Sequence, residues 1–256
     1  KSFSVTFKDQ IKKFSRSIEV DSDKSMSIRS FLIGAISENI TKAKNILESE
    51  DVYATINCLK KLGVKIKKIK NKEYEIYGKG LGSLHCKKGT ILNFYNSGTL
   101  ARLITGILST TSDINVKITG DNSLKKRNMS KLIYLMNKFG AEFYPKKKYF
   151  LPLNLVSSEL PVGIKYESGI SAQLKSAVML AGLNSFGTTT IIETRKSRDH
   201  TENMFLKSTQ SIKIKKEKKK IISIFGKKNL KGFNIKIPGD SSAAAFFVAL
   251  TLLVKN

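Results

Sequence analysis

Four short stretches of the chain are rich in small and hydroxyl-bearing residues, and each stands just before an apolar helical run. Ser25, Thr99, Ser171 and Ser242 mark them, at successive spacings of 74, 72 and 71 residues. A period near seventy is an internal repeat, and it constrains the fold more than any other feature. One such unit is too small to bury its helix alone, so three complete units are expected to pack around a shared core of helices.

The elements predicted within each interval follow one order. Asp23-Lys24-Ser25-Met26-Ser27-Ile28-Arg29 leads into the run Phe31–Ile36, which reads as a buried helix over Lys24–Ser37 capped by Asp23 or Ser25. A strand at Ala43–Leu47 follows. Ser49-Glu50-Asp51 caps a helix over Val52–Leu62 that ends at Gly63, and Val64–Ile69 and Tyr74–Tyr77 alternate as strands. The second unit opens at Asn96-Ser97-Gly98-Thr99, with Leu100, Leu103, Ile104, Ile107 and Leu108 as the apolar stripe of its helix. It continues as a strand over Ile114–Thr119, a capping turn at Gly120–Ser123, a helix over Ser130–Phe139 closed by Gly140, and a strand over Glu142–Phe150. The third opens at Ser168–Gln173, with a helix through Gly182, a strand at Thr188–Glu193, a capping loop at Ser197–Glu202 and a helix over Asn203–Ser208. Gln210-Ser211 stand where the other two units carry their closing glycine. Pro238-Gly239-Asp240-Ser241-Ser242 then opens a fourth helix, Ala243–Val254, which reads as the beginning of a second domain. Residues 1–20 alternate weakly (Phe3, Val5, Phe7, then Ile11, Phe14, Ile18) and predict one or two short strands.

Lys24 and Arg29 are badly placed at a helix start, because the dipole there disfavours cations by about 0.3–1 kcal/mol each. An anion on the free N–H groups would reverse that sign. Pseudo-symmetric packing would carry the helix starts to one end of the domain, where Gly98 lets backbone approach a ligand. Each start taken singly is also compatible with ordinary capping. Further cations accompany the starts: Arg102, Arg127, Arg198, and Lys175 one turn beyond Ser171. A cation within an apolar helix is seldom buried without a partner, so Arg102 and Lys175 are expected at a pocket or rim. The set suits a small ligand bearing several negative charges.

Other classes find less support. The net charge of +26 is spread through short lysine-rich segments, and neither stacking aromatics nor a recognition-helix motif accompanies it, so nucleic acid is not the expected partner. No apolar run approaches the roughly 18 residues of a membrane span. Cys58 and Cys86 are isolated from each other and from any zinc-ligand spacing, which predicts reduced thiols, a cytoplasmic setting and no metal. His200 adjoins Asp199, but adjacency makes no catalytic triad.

Six motifs in order resemble the enolpyruvyl transferase family, and within it the members that act on shikimate 3-phosphate. They are Asp23–Arg29, Asn96–Thr99 with Arg102, Thr119–Arg127, Ser171–Ala177, Ser197–Glu202 and Pro238–Ala244. The resemblance implies an α/β (α+β) fold of two similar domains, each of three βαβαββ repeats whose helix N-termini face the cleft between them. It divides this chain into 1–20, belonging to the second domain, then 21–237 as the first domain (about 21–90, 91–165 and 166–237), and 238–256 as the start of the second. It implies transfer of the enolpyruvyl group of phosphoenolpyruvate to the 5-hydroxyl of shikimate 3-phosphate by addition and elimination, in a monomer needing no cofactor. By position, Lys24, Gly98, Arg127 and Gln173 would contact phosphoenolpyruvate. Lys24, Ser25, Arg29, Ser171, Ala172, Gln173, Ser197 and Arg198 would hold the shikimate substrate. The family's proton-transfer residues lie in the second domain, beyond Asn256, so residues 1–256 alone are expected to be inactive. Asn128, where the family usually has Pro, and Gln210-Ser211 depart from the pattern. The alternatives are the sibling that uses a uridine-diphosphate amino sugar, whose loop Cys near Arg127 has no counterpart here, and a non-catalytic basic anion- or nucleic-acid-binding domain. Gly98, where naturally glyphosate-tolerant relatives carry Ala, implies a glyphosate-sensitive intact enzyme.

Overall fold

A computed structural model of the chain describes residues 17–216 and 218–253. Of residues 1–20, where one or two short strands are expected, 1–16 lie outside the described residues and 17–20 form no strand.

Three four-stranded sheets of identical topology enclose the core. The first contains β1 (Ile40–Lys44), β2 (Lys65–Lys70) and β3 (Glu73–Tyr77), with helices α1 (Lys24–Ile36) and α2 (Glu50–Lys61). The second contains β4 (Thr90–Asn93), β5 (Asn115–Thr119), β6 (Glu142–Tyr144) and β7 (Leu153–Val156). Its helices are α3 (Gly98–Ser109), the short α4 (Asn122–Lys125) and α5 (Ser130–Lys138). The third contains β8 (Lys165–Ser168), β9 (Thr188–Glu193), β10 (Ile212–Lys216) and β11 (Lys220–Phe225), with α6 (Ala172–Leu183) and α7 (His200–Ser208). Then come β12 (Asn234–Lys236) and α8 (Ser241–Leu253).

In the second and third sheets a leading strand runs parallel to its neighbour, and a hairpin completes the sheet on the other side. The first sheet has the same plan, but its leading strand comes from far away. β12, which the sequence reading assigns to the third repeat, pairs in parallel with β1 through Lys42↔Asn234 to Lys44↔Lys236.

The repeat begins in local chemistry. Each inner helix is capped by a side-chain oxygen: Asp23 Oδ1 accepts from Met26 N at 2.7 Å, Ser97 Oγ from Leu100 N at 3.3 Å, and Ser171 Oγ from Leu174 N at 3.3 Å. Asp23, not Ser25, caps α1. Every residue of α1 from Ser27 to Ile36 is buried, as is α6 from Lys175 to Leu183. These helices are therefore buried on all faces, as a central layer must be, with Arg29 and Lys175 as their buried charges. α3 packs on both α1 and α6. At the α3–α6 crossing a Cβ on Gly106 would lie 2.5 Å from the Ala177 carbonyl oxygen, so the two backbones meet only because this residue is Gly. The outer helices α2 and α5 bury one stripe each and close at Gly63 (φ +83°) and Gly140 (φ +93°), the left-handed positions expected there. α7 lacks that glycine and ends in extended backbone at Thr209.

Three further boundaries differ from the sequence reading. The strand expected at Ala43–Leu47 ends at Lys44, because Asn45 takes a left-handed φ of +56° and donates from Nδ2 to the Ile237 carbonyl oxygen at 2.8 Å. The strand expected over Glu142–Phe150 stops at Tyr144 as β6 and pairs antiparallel with β7 beyond it, because the intervening Pro145 and Pro152 cannot donate to a ladder. The helix expected from Asn203 begins at His200, and Asn203 N already donates to Asp199 O at 3.0 Å. α8 buries none of its residues, and Phe246, Phe247, Val248, Leu252 and Leu253 are exposed.

Candidate functional site

The packing that buries α1, α3 and α6 also ties their N-terminal ends together through polar side chains. Gln173, in the first turn of α6, donates from Nε2 to Thr99 Oγ1 at the start of α3, 3.0 Å away. Arg29 of α1 donates from Nη2 to Ser176 Oγ of α6 at 3.1 Å and from Nε to Thr201 Oγ1 of α7 at 2.9 Å. It also donates from Nη1 to the Ser25 carbonyl oxygen at 3.1 Å. The three helix starts, expected from sequence to share one end of the molecule, are thereby linked there.

Arg29 is 3% exposed, yet no carboxylate lies within ion-pair distance of it among the described residues. Burial drags its pKa down to about 10, against the weaker opposing charges of Asp23 and Glu202. Its three hydrogen bonds use three of five guanidinium donors. Two donors and an uncompensated charge remain.

A second pair of cations meets at Gly98, the first residue of α3. A Cβ placed there would lie 2.7 Å from Arg127 Nη1 and 2.8 Å from Arg102 Nη1. Gly98 thus leaves room for two guanidinium groups side by side. Arg127 is oriented by Asn96, whose Oδ1 accepts from Nη2 at 2.7 Å, and Arg102 donates from Nη1 to Gly98 O at 3.0 Å. Burial and the neighbouring Arg127 both lower the pKa of Arg102. Two like charges at a helix N-terminus are stable together when an anion bridges them.

The remaining sequence-predicted residues divide. Ser25, Ala172 and Gln173 are half-buried, Ser171 is exposed, and all four lie in the first turns or caps of α1 and α6. Lys24 is exposed and ion-paired with Asp51 Oδ2 of α2 at 3.2 Å. Ser197 donates through both N and Oγ to Glu193 Oε1, at 3.1 and 2.8 Å. Arg198 is exposed and turns toward the fourth start, donating from Nη2 to Ser242 Oγ at 3.4 Å.

Lys175 departs from expectation. It does not face a pocket or rim but is fully buried, with Nζ 2.6 Å from Glu202 Oε1 and 2.7 Å from Glu193 Oε1. Lys220 Nζ reaches both carboxylates at 3.3 Å. Burial works to raise the Glu193 carboxyl, but hydrogen bonds from Lys175 and Ser197 and the charges of Lys175 and Lys220 overcome it, holding the group at about 2. Glu193 therefore couples the buried cluster to the Ser197–Arg198 loop. Sequence reading missed Ser176, Thr201 and Glu193 as parts of this arrangement. Small spacing offers no signal for partners on three different elements, although Ser176 and Thr201 sit within motifs already singled out. His200 keeps Nδ1 buried without a hydrogen-bond partner, and burial lowers its pKa.

No helix among the described residues is long and apolar enough to cross a membrane. The profile of EPSP synthase (3-phosphoshikimate 1-carboxyvinyltransferase) matches residues 8–256. The chain is similar to the 3-phosphoshikimate 1-carboxyvinyltransferase of Petrotoga mobilis, 39% identical over 242 residues that make up 93% of this chain and 55% of that protein. It is similar to the Bacillus subtilis protein of the same name, 38% identical over 251 residues, 97% of this chain and 57% of that one. An EPSP synthase structure from Acinetobacter baumannii superposes with a TM-score of 0.81 at 38% identity, covering 90% of this chain and 51% of that one. The chain spans about half the length of the curated relatives it matches. Matched by the family profile through nearly all its length and sharing the fold of solved members, this chain belongs to the EPSP synthase family.

Proposed function

We propose that the linked starts of α1, α3 and α6 form one wall of a site for two phosphorylated carboxylates, phosphoenolpyruvate and shikimate 3-phosphate. The protein to which this wall belongs would move the enolpyruvyl group of the first onto the 5-hydroxyl of the second. The observation that carries this reading is Arg29, a buried guanidinium with no carboxylate partner and two unused donors among the described residues. An anion restores the charge balance that burial takes away. Together with Ser25, Ser171, Ala172, Gln173, Ser197 and Arg198, Arg29 would hold the shikimate substrate.

Phosphoenolpyruvate would lie against Gly98, Arg127 and Gln173, with Lys24 serving both substrates. Lys24 is exposed and its pairing with the half-buried Asp51 holds it by no more than about 1 kcal/mol, so an anion can recruit it. Charge stabilisation and positioning, not a covalent nucleophile, would supply this wall's share of the rate. Residues 21–237 would then be a three-repeat domain and 238–256 the start of another, in a monomeric cytoplasmic enzyme.

The reading is tested by titrating shikimate 3-phosphate, with and without phosphoenolpyruvate, into the chain and into Lys24→Ala and Arg127→Ala. Saturable binding weakened about tenfold or more by each substitution is expected from loss of one charge-assisted hydrogen bond. Binding of a random duplex in place of the shikimate substrate would favour the basic nucleic-acid reading.

A further inference from the structure

The three repeats meet at joints of different construction. At the joint of the first two, α2 packs against β4, with Lys61 Nζ donating to Ile91 O at 2.8 Å and Cys58 Sγ to Asn93 O at 3.5 Å. At the joint of the third and first, the end of α7 is stitched to the 229–231 stretch. Lys231 N donates to Ser208 O at 2.8 Å and Thr209 Oγ1 to Asn229 O at 3.2 Å. At the second joint no hydrogen bond links α5 to β8 among the described residues. The two elements stand apart and enclose a groove of about 1000 Å³, at the upper end of the range of about 300–1,000 Å³ usual for ligand sites.

What lines the opening is not what a neglected seam would carry. Tyr134 from α5, Tyr149 from the β6–β7 loop and Tyr166 from β8 face it, and none of their hydroxyls has a partner among the described residues. Ile170 and Leu174 add apolar surface, and a Cβ on Gly169 would meet nothing within 4 Å. The charge is one-sided. Lys131, Lys138, Lys165 and Arg195 line the groove against the single carboxylate of Glu167, and none of the four is ion-paired among the described residues. Lys138 Nζ already lies 4.7 Å from the centre of the Tyr134 ring, so cation and ring face are presented together.

We propose that this groove binds a flat aromatic anion, an aryl carboxylate or aryl phosphate. A neutral ring would leave a net of three positive charges without counter-charge, and an inorganic anion would leave three ring faces in water. Such a ligand lies along α5 and approaches the wall described above at Ser171, the cap of α6, which also lines the groove. Its occupancy is independent of the phosphoenolpyruvate position at Gly98, Arg102 and Arg127, none of which borders the groove.

Three probes test this. 1-Anilinonaphthalene-8-sulfonate is an aromatic anion, N-phenyl-1-naphthylamine is the same ring system without charge, and sulfate is the charge without the ring. The chain has no Trp, so probe emission excited through the protein reports tyrosines. The anionic probe should show one saturable site with tyrosine-sensitised emission, and bind about tenfold more tightly than either control. Lys131→Glu/Lys138→Glu on one wall, and separately Lys165→Glu on the other, should each weaken it by about three- to tenfold, the range for one or two reversed partly exposed pairs. All these side chains are on the surface, and unchanged circular dichroism confirms that the variants fold. If the uncharged probe binds as tightly as the anionic one, the exposed apolar face of α8 is the binding surface and the proposal fails. It fails equally if both sets of substitutions leave the anionic probe's affinity within twofold.

Discussion

Replacing Lys175 by Met tests how the wall of the site is held. Lys175 is fully buried and contacts Glu193 and Glu202 at 2.7 and 2.6 Å, with Lys220 closing a neutral quartet of charges. Met keeps most of the stem's volume, so little cavity forms, and the loss is electrostatic. Two buried carboxylates are then left with the partly exposed Lys220 as the only cation in ion-pair contact with them among the described residues. An uncompensated buried charge costs about 3–5 kcal/mol, a large share of the roughly 5–15 kcal/mol that holds a domain folded. At about 2–4 °C per kcal/mol for a chain of this size, the midpoint should fall by about 10 °C. Urea unfolding followed by circular dichroism measures it directly. Lys175→Met/Glu202→Gln removes the excess negative charge and should recover more than half the loss.

The pH dependence supplies a second axis. The Glu193 carboxyl is held at about 2, below its ordinary 4.5. A depressed carboxylate contributes stability that is complete above its unfolded pKa and disappears as pH falls through the folded one. About 3 kcal/mol should therefore be lost between about pH 5 and pH 2 in the wild type. Lys175→Met, lacking the cation that depresses the group, should narrow its gap from the wild type over that window. A midpoint within 1 kcal/mol of wild type at pH 7, or a double variant no more stable than the single, would refute the reasoning.

Other expectations concern the anion site itself. Gly98→Ala puts a methyl 2.7–2.8 Å from the Arg127 and Arg102 guanidinium groups, so phosphoenolpyruvate binding should weaken by about tenfold with little change in unfolding midpoint, read by calorimetry and denaturation. Arg29→Lys keeps the charge but not the fork that reaches Thr201, Ser176 and Ser25. It should cost about 2 kcal/mol of stability and at least tenfold in shikimate 3-phosphate affinity, with no rescue by salt. Gly106→Val, which drives a side chain into the Ala177 carbonyl, should leave little folded protein in a solubility assay.

How much of this was legible in the sequence follows from the range of the interactions. The caps Asp23, Ser97 and Ser171 act over three residues, so their chemistry is written locally and the helix starts fall where periodicity predicts. The closing glycines of α2 and α5 are legible for the same reason. Lys175 misleads because its partners sit on β9 and α7, and nothing in a helix sequence tells a buried ion cluster from a rim cation. Arg29 was singled out, but its ties to Ser176 and Thr201 span 147 and 172 residues and emerge only from the packing of α1 on the third repeat. The hairpin β6–β7 was hidden by one alternating pattern running through Pro145, where turn chemistry outweighs periodicity.

The pairing of β12 with β1 has a consequence for the order in which the chain can fold. The second and third sheets are assembled from consecutive residues and can close as soon as each repeat is complete. The first sheet cannot. Its leading strand is joined by bonds such as Asn45 to Ile237 and Phe233 to Thr41, each spanning 192 residues. Closing so long a loop is entropically costly and slow, and it is cheapest after the intervening repeats have become compact. On a ribosome the repeat made first is thus the last to finish, with the edge of β1 open until residue 236 emerges. That edge is where a stalled or crowded chain would pair with the wrong strand.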